Sequence, residues 1–528
     1  MQVEGLDIIA PDIIGALRAG AEDNALALEM VCWRGGAAVT QRWTRAELFA
    51  AVSVAAGAIA RGTREGDRII VALPPGLDFA SAFLACLATG RIAAPAQAPT
   101  TARARALIDR MATVIDARLV LTDPAEIAGG GGADFRTPDP GVIAYLQFTS
   151  GSTQAPRGAV ITHGALAANL AAIGDAWRLG PTDHGVFWLP PFHDMGLVGA
   201  LLTPVAFAFP ATLMHPAAFL QRPARWLELI TDRRASFSGA PNFAYDLCVD
   251  RIDAAARAGF DLSSWRVAVN GAEPVSAATI RRFEECFASR GLRRGALAPG
   301  YGLAESVLFV TARRGGSEPA KTDAHHVSCG PAGRGMCVRI VEESTGTAVP
   351  DSVTGAIWVA GPSLADGYWQ APEETNATFG ARLAGESLTF MRTGDIGFLR
   401  DGELHVCGRA KDVIIRAGRK VHAADIEQAI ARALDTPAGR RTAVFACAAR
   451  DAPERLVVVH EVGADGDNQS ICAAIADSLG AHFDLVADAI VLAAPGAVRV
   501  TSSGKIARAA TREAYLAGAL APLAQRTP

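Results

Sequence analysis

Six short segments combine residue types that could act together on a phosphorylated ligand. FTSGSTQAPRGA (148–159) sets Thr149, Ser150, Gly151, Ser152 and Thr153 between a strand-like run and a helical pattern. Hydroxyls and backbone N–H groups so placed can surround phosphate oxygens. The Gly-Lys-Ser/Thr ending of a Walker loop is absent, and taken alone the segment reads equally well as a polar turn. RVAVNGAEPVS (266–276) is a strand running into Asn270, Gly271, Ala272 and Glu273. The C-terminal end of a strand feeding a glycine turn is where open α/β sheets bind ligands. PGYGLAES (299–306) offers Tyr301 for stacking on a purine, Gly302 for close approach and Glu305 as a hard oxygen ligand for Mg²⁺. MRTGDIGFLRDGELHVCGRAKD (391–412) puts Asp395 and Arg409 at the ends of a hairpin, a pairing suited to ribose hydroxyls. FHDMG (192–196) carries His193 and Asp194 beside an apolar run, and VTSSGKIARAA (500–510) presents Lys505 after a Ser/Gly turn.

The elements that must hold these residues follow from periodicity. DRIIVALPPGLDFASAFLACLATG reads as strand, turn and helix, and ARLVLTD as the next strand. That rhythm predicts βα units and a parallel sheet covered by helices. Further strands are expected at GVFWLP, ATLM, RASFSG, RVAVNG and TAVFACAA, and the GGGG at 129–132 as a loop without a fold of its own. From about residue 327 short strands separated by Gly/Pro turns predict an antiparallel β module to about 407. A smaller βα pattern follows, with a helix at AADIEQAIARAL. The expected organisation is α/β: a large unit over 1–407, a boundary at 408–412 and a small unit over 413–528. The uncharged stretch 196–214 is broken by Pro204 and Pro210, so it is read as a buried strand with an adjoining helix rather than a membrane span.

A chain of 528 residues, half of them hydrophobic and a fifth charged, has a globular composition and length for several domains. A net charge of −4 with no basic run argues against nucleic acid as the main partner. Nine scattered cysteines without a C-x-x-C pair read as reduced thiols, and the acidic MQVEGLDIIAPD as no signal peptide, so a cytoplasmic location is expected.

The ordered set FTSGSTQAPRGA, LPPFHDMGLVG, NGAEP, GYGLAES, RTGDIGFLRDGEL, GRAKDVII and SSGKIAR resembles the adenylate-forming superfamily over roughly residues 20–520. Within it, WLPPFHDMGLVGALLTP, FLQRPARWLELI, SGAPNFAYDLC and TSSGKIARAA look most like the fatty acyl-AMP ligases, as does EETNATFGARLAGESLTFMRTGD, longer here than in acyl-CoA synthetases. The resemblance implies a large unit of parallel βα sheets and a small mobile α+β unit. It implies ATP-dependent conversion of a fatty or related carboxylic acid to an acyl-adenylate, then transfer to the phosphopantetheine thiol of an acyl carrier protein acting in trans. Lys505, Glu305 and His193 would be catalytic, Glu305 as the Mg²⁺ ligand. The 149–153 loop, Arg157, residues 270–273, Tyr301, Gly302, Asp395 and Arg409 would bind nucleotide. His193, Asp194, Met195, Ser238, Gly239, Asn242 and Phe243 would line the acyl pocket, and Lys411 would be the hinge.

YGLAES, with Ala304 where many adenylate-forming relatives have threonine, also fits that branch; the chain departs from the pattern at Arg157, where a lysine is usual, at Gln154 in place of glycine, and at KVHA (420–423). Arginine keeps the charge and binds phosphate bidentately, but it is longer and planar. An acyl-CoA synthetase shares the first step and is the alternative; a non-catalytic adenylate-fold protein is a further one. Amino-acid activation would need a carboxylate for the ammonium, and Asp246 is the one candidate near the acyl pocket.

Overall fold

The computed structural model describes residues 12–149, 156–315, 322–323, 326–416, 419–434, 440–447, 455–463, 467–501 and 505–526. Up to residue 315 the chain forms two sheets. Strands Leu119–Leu121, Arg68–Val71, Ile92–Pro95 and Ile143–Thr149 lie parallel in that spatial order, and Arg157–Thr162 closes the sheet antiparallel. In the eight-stranded sheet, Leu297–Tyr301, Val267–Asn270, Phe237–Ala240, Gly185–Phe187, Ala211–Met214 and Leu26–Arg34 are parallel neighbours, with an antiparallel strand at each edge.

Helices fill the space between the two sheets. In helix Leu77–Ala88 every residue except Asp78 is buried. A helix that is apolar all round has to be enclosed on every side. Its cluster joins Ile69 and Val71 of one sheet to Met30 and Phe187 of the other, while Ile70 points to a separate core on the opposite face. Period-two alternation thus loads both faces of each parallel strand, which explains their continuous apolar runs.

The 196–214 stretch forms a π-helix over Met195–Leu202, a helix over Thr203–Phe207 and strand Ala211–Met214. Pro204 sits where the π-helix passes into the short α-helix. Among the described residues no helix is long and apolar enough to cross a membrane. The GGGG loop lacks regular structure but is packed: a Cβ on Gly130 would lie 2.0 Å from the Val54 carbonyl oxygen of helix Arg45–Ala60.

Strands Cys337–Glu342, Gly355–Ala360, Thr389–Arg400 and Glu403–Arg409 build the core of an antiparallel sheet. Helix Pro372–Phe379, in the long segment before RTGD, sits against it, its Ala377 carbonyl accepting from Arg392 at 3.0 Å. Hairpin Val413–Arg416/Arg419–His422 and helix Ala423–Ala433 follow. A four-stranded sheet ordered Thr442–Cys447, Arg455–Glu461, Ala489–Ala493, Pro522–Arg526 completes the chain. The architecture is mixed α/β throughout, as the strand and helix rhythm predicts.

Candidate active site

Strands Val267–Asn270 and Leu297–Tyr301 run in parallel register, with Asn270 opposite Pro299, and end at one edge of the eight-stranded sheet. The turn after Asn270 is braced from behind. Asn242 donates to the Pro274 carbonyl at 2.9 Å and accepts from the Ser276 N–H at 3.0 Å, which fixes its amide orientation. Its Oδ1 therefore also takes the Asn270 side-chain N–H, at 3.0 Å. Asn270 Oδ1 is left buried without a hydrogen-bond partner. A buried acceptor in that state is costly unless a ligand donor meets it, and an adenine amine has the right chemistry. Ala272 adopts φ 70°, a left-handed conformation uncommon outside glycine. A Cβ on Gly271 would lie 2.9 Å from the Gly300 oxygen, so the turn is pressed against the neighbouring strand.

Asp395 and Arg409 face each other across the hairpin. Arg409 Nε lies 3.0 Å from Asp395 Oδ1, and Tyr301 Oη donates to Oδ2 at 2.7 Å. Burial pushes the Asp395 carboxyl up, while Arg409, Tyr301 and Lys505 pull it back. Glu273 is likewise raised by burial and opposed by Lys505. One ammonium thus acts on two carboxylates from different sheets. Lys505 is presented by a turn in which Thr501 N–H donates to the Lys505 carbonyl at 2.8 Å and Lys505 N–H to Thr501 Oγ1 at 3.2 Å. Arg508 ties the following helix to Asp412 at 2.7 Å and to Glu427 at 2.6 Å, joining the lysine's segment to residues 408–412. The Lys411 ammonium is pushed down by burial and by the charges of Arg409 and Arg157, with Asp412 and Asp395 opposing.

Glu305 lies in the short helix Ala304–Ser306. Burial raises its carboxyl, countered in part by a hydrogen bond from Tyr368 Oη to Oε1 at 2.9 Å. The Arg157 guanidinium stands 5.7 Å from the centroid of the Tyr368 ring. Ser150, Gly151, Ser152, Thr153 and Gln154 lie outside the described residues, as does the side chain of Thr149. A Cβ on Gly302 would fall 1.6 Å from the Leu308 oxygen, so packing alone demands that glycine.

The other candidates divide. Gln147 donates to the Phe192 carbonyl at 3.1 Å, tying the strand that enters the 149–153 loop to the FHDMG segment. His193 accepts at its carbonyl from Leu197 N–H at 2.7 Å, Asp194 caps Met195 N–H at 2.7 Å, and the charge of Asp194 is felt at Glu305. Met195 lies against Gly239, where an added Cβ would meet its methyl at 3.1 Å. Ser238 and Asn242 differ from the expected pocket lining. Ser238 is fully buried, accepting from Trp226 Nε1 at 3.0 Å and donating to the Val186 carbonyl, because strand parity turns it into the core. Asn242 braces the 270–276 turn, and Phe243 stacks edge-on to Trp188 at 5.9 Å. Asp246 is held by Thr279 at 2.9 Å and Arg282 at 3.1 Å, with burial raising its pKa to about 6, so both oxygens are engaged inside the fold.

Sequence reasoning missed Tyr368; the apolar 196–214 segment, expected to line an acyl pocket, borders a small apolar cavity beside the π-helix. Leu189, Pro191, Gly196 and Ala200 line one side of that cavity; Met30, Phe79, Phe187 and Leu213 complete it. Met30, Leu213 and Phe187 are register partners on three adjacent strands, a row that no single stretch of sequence displays.

Residues 116–369 match the AMP-binding enzyme family. The chain is 37% identical to the medium-chain-fatty-acid–acyl-carrier-protein ligase JamA of Moorena producens (strain JHB), covering 86% of each. It is 33% identical to the long-chain-fatty-acid–AMP ligase FadD28 of Mycobacterium tuberculosis (strain H37Rv), over 91% of this chain and 93% of that one. A solved structure from work on fatty acyl-adenylate ligases of E. coli and L. pneumophila superposes with a TM-score of 0.85 at 31% identity, over 97% and 98% of the two chains. With relatives this similar along nearly its whole length, the chain belongs to the fatty acyl-AMP ligase family of ATP-dependent, adenylate-forming enzymes.

Proposed function

We propose that the protein activates a fatty acid with ATP, releasing pyrophosphate, and hands the acyl group to the phosphopantetheine thiol of an acyl carrier protein. The observation that carries this reading is the set of side chains at the nucleotide corner: Asn270 with its buried, unpartnered Oδ1, and Asp395 held by Tyr301 and Arg409, where the charge of Lys505 is also felt. The acid's carboxylate attacks the α-phosphorus, forming the acyl–phosphate bond as the bond to pyrophosphate breaks. Such a reaction asks the protein for positioning and charge neutralisation. Asn270 and the turn to Glu273 hold adenine beside Tyr301, and Asp395 accepts from the ribose hydroxyls, with Arg409 fixing its direction. Lys505 stabilises the negative charge that gathers between carboxylate and α-phosphate. Arg157 binds the outer phosphates, and His193 stands at the carboxylate end of the acyl pocket.

Glu305 fits a Mg²⁺ that takes its remaining ligands from phosphates and water, the usual arrangement for this ion at nucleotides. Among the described residues there is no cluster of three acidic, histidine or cysteine ligands that would hold a metal without them. Bound Mg²⁺ supplies neutralising charge at the phosphate oxygens. Residues 408–412 act as the hinge between half-reactions, with Lys411 at its centre. The carrier as acceptor is supported by the printed activity of JamA. A cytoplasmic site of action suits a chain whose nine cysteines form no disulfide.

The test uses purified protein with ATP, Mg²⁺ and carboxylic acids of graded length, then CoA or a holo-carrier protein. Mass spectrometry is expected to find acyl-AMP that persists with CoA and is consumed with the carrier. Acyl-CoA formation at a comparable rate would transfer the protein to the synthetase reading.

A further inference from the structure

Residues 365–369 touch both ends of the phosphate corner. The segment runs as an extra edge beside strand Arg157–Thr162: Val160 N–H donates to Gly367 at 2.9 Å, Asp366 N–H to Val160 at 3.0 Å and Trp369 N–H to Gly158 at 2.8 Å. Tyr368 therefore sits opposite Ala159, two residues from Arg157. The same segment grips Glu305 twice, through Ala365 N–H to the Glu305 carbonyl at 2.9 Å and through Tyr368 Oη to Oε1 at 2.9 Å. Gly367, at φ 122°, could not carry a side chain, since its Cβ would lie 2.3 Å from Thr375. Thr375 Oγ1 in turn accepts from Tyr368 N–H at 2.9 Å, and Phe379 meets the tyrosine ring edge-on at 5.5 Å. The ring is fixed on its backbone side and presents two functional surfaces, a hydroxyl to Glu305 and a face to Arg157.

We propose that Tyr368 is a positioning residue that couples the phosphate-binding arginine to the metal-binding carboxylate. Its hydroxyl occupies Oε1 of Glu305 and so sets the direction in which Oε2 is offered to a cation. Its ring gives the planar guanidinium of Arg157 a face to lie against, an interaction that suits arginine better than lysine. The departure from lysine at 157 and the tyrosine at 368 thus form one unit in this chain. The inference rests on the adenylate-forming reading of the site.

The experiment measures equilibrium binding of ATP by calorimetry, with and without Mg²⁺, alongside acyl-AMP formation. Tyr368→Phe keeps the ring and removes the hydroxyl. It is expected to raise the Mg²⁺ concentration for half-maximal ATP binding by about tenfold, since a hydrogen bond to a charged group is lost, while metal-free ATP binding stays unchanged. Tyr368→Leu is expected to weaken metal-free binding too, and adding Arg157→Lys to the Tyr368→Leu variant should cause less further loss than Arg157→Lys causes in the wild type. Thermal melting of each variant separates a folding defect from a positioning one. An unaltered Mg²⁺ dependence in a folded Tyr368→Phe protein, or fully additive effects at 157 and 368, would overturn the proposal. Absence of ATP binding by the wild-type protein would instead sink the adenylate-forming reading beneath it.

Discussion

The adenosine corner and the phosphate corner of the site are built on different principles. At the adenosine corner, Asn242, Asn270, Tyr301, Asp395 and Arg409 are locked by bonds of 2.7–3.0 Å between regular strands and a helix. At the phosphate corner, Glu305 and Arg157 meet through a single tyrosine, whose hydroxyl serves one and whose ring faces the other. In the proposed reading the first corner would recognise a rigid base and sugar, for which preorganised partners lower the cost of binding. The second has to follow phosphates whose charge and geometry change during the reaction. Lys505 comes from a third element, and its charge is felt at Asp395 of the rigid corner and at Glu273.

The comparison can be broken most severely at Lys505. Lys505→Ala is expected to lower the rate of acyl-AMP formation by about 10²–10³-fold, as loss of one preorganised charge at a transition state does, with ATP affinity nearly unchanged by calorimetry. Asp395→Asn removes the ribose acceptor and leaves Arg409 without its anion. It should raise the KM for ATP by about 10–100-fold, since truncating a buried charge pair costs roughly 2–5 kcal/mol of which only part is recovered by relaxation, and it should also lower the melting temperature. Tyr301→Phe keeps the ring but not the bond to Asp395, and a KM increase of about tenfold is expected from loss of one charge-assisted hydrogen bond. Arg157→Lys tests the phosphate corner and is expected to change ATP use by no more than about threefold, because the charge is retained. A complete loss there would give Arg157 a role beyond phosphate binding.

The smallest effect concerns the contact between strand His326–Val327 and helix Ala423–Ala433. His326 Nε2 lies 3.6 Å from Asp425 Oδ1, an ion-pair distance. Burial alone would lower the histidine's pKa, but Asp425 and Cys407 raise it above the ordinary value. A group raised in the folded state contributes stability that is fully present below its ordinary pKa and lost as pH climbs through the raised one. The pair should therefore hold at neutral pH and weaken in alkali. Asp425→Asn is expected to remove about 1 kcal/mol at neutral pH and to flatten the alkaline side of the melting-temperature profile. A profile identical to wild type would show that the pair does not hold this contact.

Much of the frame was legible because parallel strands announce themselves as apolar runs ending in Gly turns. RVAVNG and RASFSG became the parallel strands Val267–Asn270 and Phe237–Ala240. Asp395 and Arg409 were readable as hairpin ends, and the register places them face to face. What stayed hidden depends on direction and on distant neighbours. Ser238 looks like pocket lining until strand parity turns its hydroxyl toward Trp226. Nothing local to GYW (367–369) says that Tyr368 lies beside residue 159 and against Glu305. The π-helix leaves no mark in a sequence scanned at helical or strand period, and the cavity beside it is assembled from four separated stretches.

The central claim is that Lys505 joins the nucleotide corner to complete adenylation. It is tested most directly by a rapid-quench measurement of acyl-AMP in the first turnover, with wild type and Lys505→Ala compared at saturating ATP and fatty acid. The account predicts a burst of acyl-AMP stoichiometric with enzyme in the wild type and none in the variant, although both bind ATP. Bursts of equal size and rate in the two proteins would contradict it.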